Sequence, residues 1–280
     1  MLHMFYIERV MFSMQPMLTG GKSLVNLGVK RRLTMIEAIC LHRIHDNDSD
    51  VPSVFHDINM TIQISDLLGM LSDLDATNRI SNTTTLVTFD DGWRDLLLIP
   101  EDFFDKHCTL MPVIFLTDAQ LTGDLTPMPL HRLYSWMQQN DVSLTDLPEL
   151  QINRNNLKDL RVKDQHQLVS IVTGETQHSI DYLTPSEVSQ LKANGWAVGS
   201  HGPEHCDLRL LNDDELTNLL STTYSIVQSN NIKPWIAWPE GRWNNRIANI
   251  ARELGFERQF GLVEENRRGT DDTVVLRKLW

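Results

Sequence analysis

The sequence predicts an α/β fold: a closed or nearly closed β/α barrel of about seven parallel strands, carrying a polar, mainly helical insertion. Three observations lead there. Seven short runs are continuously apolar, as strands buried on both faces are, rather than alternating. Capped helical patterns lie between many of them, and strand–helix–strand repetition means right-handed crossovers and a parallel sheet. The chain is 280 residues long, which one barrel accommodates. An open doubly wound sheet is the second choice. In both, chemistry sits at the C-terminal ends of the strands.

Taken in order, the strand candidates are EAICLHRI (37–44), TTLVTFDD (84–91), MPVIFLTD (111–118), GWAVGSHG (195–202), PWIAWPEG (234–241), ERQFGLV (257–263) and TVVLRKLW (273–280). The clearest helix is TPSEVSQLKANG (184–195). Thr184 caps it, Pro185 suits its first turn, Glu187 completes a capping box and Gly195 ends it. NDDELTNLLSTTYSIVQSN (212–230) and WNNRIANIARELG (243–255) follow the same logic. Residues from about 121 to 183 break the rhythm: they are polar and lack strand signals. Within them, PLHRLYSWMQQN and LKDLRVKDQHQLVSIV read as helices, either over the barrel mouth or as a peripheral patch. Residues 1–30 are Met-rich and read as a leader or packing segment, and 31–280 as the barrel domain.

Composition excludes several classes. A formal net charge of −12 disfavours sequence-independent nucleic-acid binding, which needs Lys and Arg on phosphates. Cys40, Cys108 and Cys206 are widely spaced, so neither a disulfide framework nor a Cys-based zinc site is expected; they read as small buried hydrophobes. No run approaches the ~18 apolar residues of a membrane span, and the N-terminus lacks the basic-then-apolar order of a signal peptide. No stable membrane insertion and a cytoplasmic location are therefore expected, with a periplasmic or membrane-associated one if the start is misassigned. Oligomeric state is not readable.

Two stretches carry chemistry. Asp90 and Asp91 are adjacent at the end of a buried strand, just before Gly92. Neighbouring strand residues point to opposite faces, so a pair acting together must sit where the chain turns. Like charges so close need a positive partner, commonly a divalent ion; the plainer reading is a helix N-cap with a spare acid beside it. His201 and His205 follow another strand, four residues apart. Two histidines and one carboxylate make a three-ligand site with an open fourth position, as catalytic zinc requires.

TFDDG and SHGPEHCDL resemble the first two motifs of the polysaccharide deacetylases, the NodB-homology or carbohydrate esterase family 4 group. IAWPEGRWN resembles the third motif, in degenerate form, and ELGFERQFGL the segment after it. The resemblance covers about 86–120 and 184–280. It implies a distorted β/α barrel, one divalent metal, and removal of N- or O-acetyl groups from sugars. By it Asp90 is the general base, and Asp91, His201 and His205 bind the ion. Zinc suits them best, though cobalt, nickel or iron also fit. It further implies that the backbone N–H of Glu240 stabilises the oxyanion.

Two departures from the family pattern stand out. No histidine follows His205, so the usual late acid is missing. ICLHRIHD resembles the acid-bearing segment of circularly permuted members, making His42 the candidate acid; His45 is the runner-up, expected to face solvent. INMTIQISDLLGMLSDL fits the strand end and helix that precede the first motif there. Where an arginine usually orients the base stands Ala237, and Arg277 in the last strand is the replacement. Trp238 and Trp243 bracket the third motif, and one is expected to stack on a sugar ring. Trp93 reads as structural. His56, His107, His131, His166 and His178 read as solvent or loop residues, with His131 a weak exception because the insertion can cover the site.

The leading expectation is a metal-dependent deacetylase of an N-acetylated sugar in a surface glycan or its precursor. A catalytically lapsed barrel binding glycan or a partner protein, and a hydrolase of non-sugar amides, are the alternatives.

Overall fold

The structure, a computed structural model, describes residues 36–47, 51, 53–143, 146, 157–174, 181–203, 205–263 and 273–280. The leader expected at 1–30 and His178 lie outside the described residues.

Seven parallel strands close into a barrel in the order β1-β4-β5-β6-β7-β8-β9. They are β1 (Ile36–Leu41), β4 (Thr84–Phe89), β5 (Leu110–Leu116), β6 (Ala197–Ser200), β7 (Trp235–Ala237), β8 (Arg258–Leu262) and β9 (Val274–Leu279). Each falls on one of the seven apolar runs. The doubly wound alternative is excluded because β1 pairs with β4 on one side and β9 on the other. The closure is uneven: β1 and β4 register over six residue pairs, from Ile36–Thr84 to Leu41–Phe89, whereas β6 and β7 share only Ser200 with Ile236. A small parallel pair lies outside the barrel, β2 (Arg43–His45) with β3 (Thr61–Gln63).

Strand alternation sorts the core into two shells. Ala38, Leu86, Val113, Phe115, Ala197, Trp235, Ala237 and Phe260 form one buried cluster, the filling of the barrel. Their neighbours Ile39, Leu41, Val87, Phe89, Ile114, Leu116 and Val198 belong to another, packed under the helices. The period of two therefore predicts what reaches the barrel mouth: Cys40 and His42 continue the Ala38 row, Thr88 and Asp90 the Leu86 row, and His201 the Ala197 row.

The helices obey their caps. Helix Pro185–Ala193 has the Thr184–Glu187 capping box, and helix Asp213–Ser229 has one made by Asn212 and Glu215. Asn244 caps helix Asn245–Leu254, which Gly255 ends in the left-handed conformation. Helix Ile64–Ser81 links β3 to β4. In the polar stretch, helices Pro129–Gln139 and Val162–Thr173 form and bury Leu133, Tyr134, Met137 and Val169 together.

Candidate active site

At the end of β4 the chain must turn to bring two adjacent carboxylates together. Asp91 has φ 71° and Gly92 φ 66°, both left-handed. Aspartate tolerates this conformation better than most side chains. Glycine suits this position: at its positive φ an added Cβ is strained, and it would lie 2.4 Å from Leu116 Cδ2, which would have to shift. Both carboxylates end up buried.

Asp90 faces Arg277. The guanidinium donates from Nη1 to Oδ1 at 2.6 Å and from Nη2 to Oδ2 at 2.8 Å, a two-pronged pair with no exposure at Arg277. Nη1 also donates to Thr88 Oγ1 at 3.0 Å. The Cys40 thiol lies 3.4 Å from Asp90 Oδ2 and donates to it. Burial opposes the charge on Asp90, but Arg277 and then His201 bring its carboxyl down to about 2. Burial first, with the Asp90 carboxylate adding to it, pushes the Cys40 thiol well up, so it remains a thiol. Cys40 thus belongs to the site rather than to the general core. Its place two residues before His42 on one strand was the signal.

Asp91 faces the histidines. His201 and His205 place Nε2 at 3.5 and 3.3 Å from Asp91 Oδ1. One ligand atom from each of the three lies within 4.8 Å of the others. Two ligands at zinc distance in a tetrahedron are separated by about 3.3 Å, so the spacing is that of a coordination edge. Asp91 Oδ1 is buried and accepts no hydrogen bond among the described residues, which a carboxylate oxygen tolerates poorly unless a cation is to meet it. His201 Nδ1 donates to the Ala237 carbonyl at 2.9 Å, which leaves the Nε2 lone pair facing the acid. Burial lowers the pKa of His205 to about 4, so it stays neutral and able to ligate. His201 moves up, because Asp90 and Asp91 outweigh its burial. The residues fit a divalent ion.

His42 is buried at the end of β1, and its Nδ1 makes no hydrogen bond among the described residues. A ring nitrogen of His42 lies within 4.8 Å of an Asp90 oxygen and of the Cys40 sulfur. Burial lowers its pKa, against the pull of Asp91 and Asp90. His45 is buried on β2, not in solvent as expected, and packs edge-on against His56. Glu240 sits at φ 56° in the turn after β7 and pairs with Lys158 of the polar stretch. A cleft of about 230 Å³ opens over these groups, lined by His42, Asp90, Asp91, His131, His205 and Glu240, with Lys158 and Tyr134 at its rim.

The tryptophans correct one expectation. Trp238 and Trp243 have 0% and 1% exposure and pack with Ile236, Ile247 and Ala248 outside the barrel. Neither lines the cleft, so neither stacks on a sugar ring; Trp238 follows Ile236 on the outer row by the period of two. Trp93 is buried against Phe55 and His131. His131, read from sequence as a solvent or loop residue with only a weak exception, is buried beside Asp91, with Nε2 at 3.4 Å from Oδ2. No local signal announces this, because it depends on where the polar stretch folds back.

Residues 133–258 match the family model described as polysaccharide deacetylase. That span holds both histidines and the Glu240 turn, while Asp90 and Asp91 precede it. The Streptococcus pyogenes deacetylase PplD, solved in complex with acetate, is similar at 14% identity and a TM-score of 0.54, covering 88% of this chain and 92% of that one. IcaB from Ammonifex degensii is similar at 14% identity and TM-score 0.49, covering 88% and 91%. A de-N-acetylase from Aggregatibacter actinomycetemcomitans is similar at 12% identity and TM-score 0.48, covering 86% and 95%. Among these three, the PplD likeness supports the fold; at such identities it supports nothing finer. Comparison with curated proteins finds no match. Over residues 133–258 the chain resembles the polysaccharide deacetylases, and its closed barrel is the fold of the similar PplD structure.

Proposed function

We propose that the protein is a metal-dependent hydrolase that removes an acetyl group from an N-acetylated sugar of a surface glycan or its precursor. The observation that carries this reading is Asp91 Oδ1, which accepts no hydrogen bond among the described residues and is held at coordination spacing from two histidine nitrogens, beside a second carboxylate clamped by arginine. Asp91, His201 and His205 would hold the ion, with zinc favoured by a donor set of two imidazoles and one carboxylate. When bound, the ion supplies Lewis acidity to a water and to the acetyl carbonyl.

The chain's own groups do the rest. Asp90 remains ionised through the neutral range and accepts a proton from the attacking water; Arg277 fixes its plane and limits its basicity. The Glu240 N–H is the candidate donor to the developing oxyanion, in a turn whose left-handed backbone aims it away from the strand direction. His42, beside Asp90 in the cleft, is the candidate that delivers a proton to the departing nitrogen. The histidines, acids and arginine occupy one buried cluster, which a lapsed barrel would have no physical reason to keep.

The test is elemental analysis of protein dialysed and reloaded with zinc, with His201→Ala as control. About one ion per chain, lost in the control, is expected, followed by acetate release from N-acetylated sugars that disappears in Asp90→Asn. No ion above the control's background overturns the hydrolase. Activity surviving in Asp90→Asn overturns the base, and release of other acids from non-sugar amides points to the broader amide hydrolase.

A further inference from the structure

Asp91 has two oxygens, and only one faces the histidine pair. The other, Oδ2, lies 3.4 Å from His131 Nε2, on helix Pro129–Gln139. His131 Nδ1 lies 2.7 Å from the hydroxyl of Tyr182. The Met128 N–H donates to that hydroxyl oxygen at 3.4 Å, so the hydroxyl proton is left for Nδ1. Nδ1 is then an acceptor and Nε2 carries the proton, directed at the carboxylate. All three side chains are buried. The imidazole also packs against Trp93, with ring centroids 4.3 Å apart and the planes tilted by 39°.

Tyr182 is fastened to the Asp90–Gly92 turn as well. It makes an isolated antiparallel bridge with Trp93, Leu183 N donates to Gly92 O at 2.8 Å, and Arg94 N donates to Asp181 O at 2.9 Å. The backbone that presents Asp91 and the backbone that presents Tyr182 are therefore one stitched unit, with His131 closing the circuit from the side chains.

We propose that Tyr182 and His131 are positioning residues that fix Asp91 as a one-oxygen metal ligand. Holding Oδ2 by the imidazole N–H leaves Oδ1 alone for the ion and prevents the carboxylate from rotating to chelate with both oxygens. This rests on the three-ligand reading above. Supporting partners of ligating groups typically set metal affinity by about 10–100-fold.

The experiment measures zinc affinity of the full chain by competition with a chelating dye, for the parent, Tyr182→Phe, His131→Leu, His131→Gln and His201→Ala. Tyr182→Phe keeps the ring packing and removes only the hydroxyl. It is expected to weaken zinc binding about 10-fold, and His131→Leu about 10–100-fold, while His131→Gln, which retains an N–H donor, recovers part of the loss. The metal-free unfolding midpoint of Tyr182→Phe is expected to change little, which separates positioning from general packing. Should His131→Leu fail to fold, Tyr182→Phe decides alone. Parent-like affinity in Tyr182→Phe overturns the relay. A loss above about 1,000-fold in His131→Leu with no effect of Tyr182→Phe overturns it too, making His131 a ligand. A parent that binds no zinc, indistinguishable from His201→Ala, overturns the three-ligand site itself.

Discussion

At the scale of single residues, the Asp90–Arg277 pair has the largest consequences. Both groups are buried, and each satisfies the other through two hydrogen bonds. A buried pair broken on one side leaves an uncompensated charge, which costs about 3–5 kcal/mol. Arg277→Met is therefore expected to lower stability by about that amount and to reduce acetate release by about 100-fold or more, through a base that is no longer held ionised or in plane. Adding Asp90→Asn to Arg277→Met is expected to restore much of the stability and none of the activity. Urea unfolding of the two single variants and the double variant checks this, and strict additivity would show that the pair is not coupled. The sequence pointed to Arg277 through the resemblance, since Ala237 stands where an arginine is usual and permuted members carry one near the end. The partnership becomes visible once β9 lies beside β8 with Arg277 level with Leu262.

At the scale of elements, the strands were legible because burial on both faces writes a continuous apolar run, and the helices because their caps are spelled out in side chains. Thr184 with Glu187 was readable as a capping box and forms one. The outward tryptophans were misjudged because a flat aromatic beside a motif looks the same in sequence whether it faces a sugar or a helix. The alternation decides it, since Trp238 lies on the Ile236 row rather than the Ala237 row. β6 shows how tight the inner row is. A Cβ on Gly199 would sit 2.6 Å from the Phe115 ring and 3.0 Å from the Trp235 carbonyl. Gly199→Ala is expected to destabilise the barrel by about 1–3 kcal/mol, because overpacking displaces a core ring and strand backbone together. Since His201 follows two residues on, the same variant is expected to weaken zinc binding. Thermal unfolding with and without zinc measures both, and an unchanged midpoint would mean that Phe115 turns aside at no cost.

At the scale of the whole molecule, one contribution to acid tolerance comes from a carboxylate away from the cleft. Asp75, on helix Ile64–Ser81, accepts from Thr109 Oγ1 at 2.6 Å, from Thr109 N at 3.1 Å and from Arg79 Nε at 2.7 Å, tying the helix to the segment that enters β5. Burial opposes its charge, but Thr109 and Arg79 bring its carboxyl from 3.8 to about 2. A depressed carboxyl contributes stability that is complete above about pH 4 and is lost as the pH falls toward 2, here about 2 kcal/mol. Asp75→Asn is expected to flatten that limb in urea midpoints measured from pH 5 to 2, whereas an acid limb identical to the parent's would assign it to other groups. The overall barrel followed from the continuous apolar runs and the capped helices between them. What periodicity could not convey is long-range placement: which segment folds back over the mouth, and that His131 arrives there with it.

The seam of the barrel has a temporal meaning. β1, which is made first among the barrel strands, pairs with β9, which is made last, through Ile39–Lys278 and Cys40–Leu279. Arg277 rides on that final strand. Every other residue of the cluster precedes Arg277 in the chain, so until β9 docks, Asp90 lacks its guanidinium partner. The clamp on Asp90 is thus completed only when the closing strand is in place, and the arginine acts as a latch on the barrel seam.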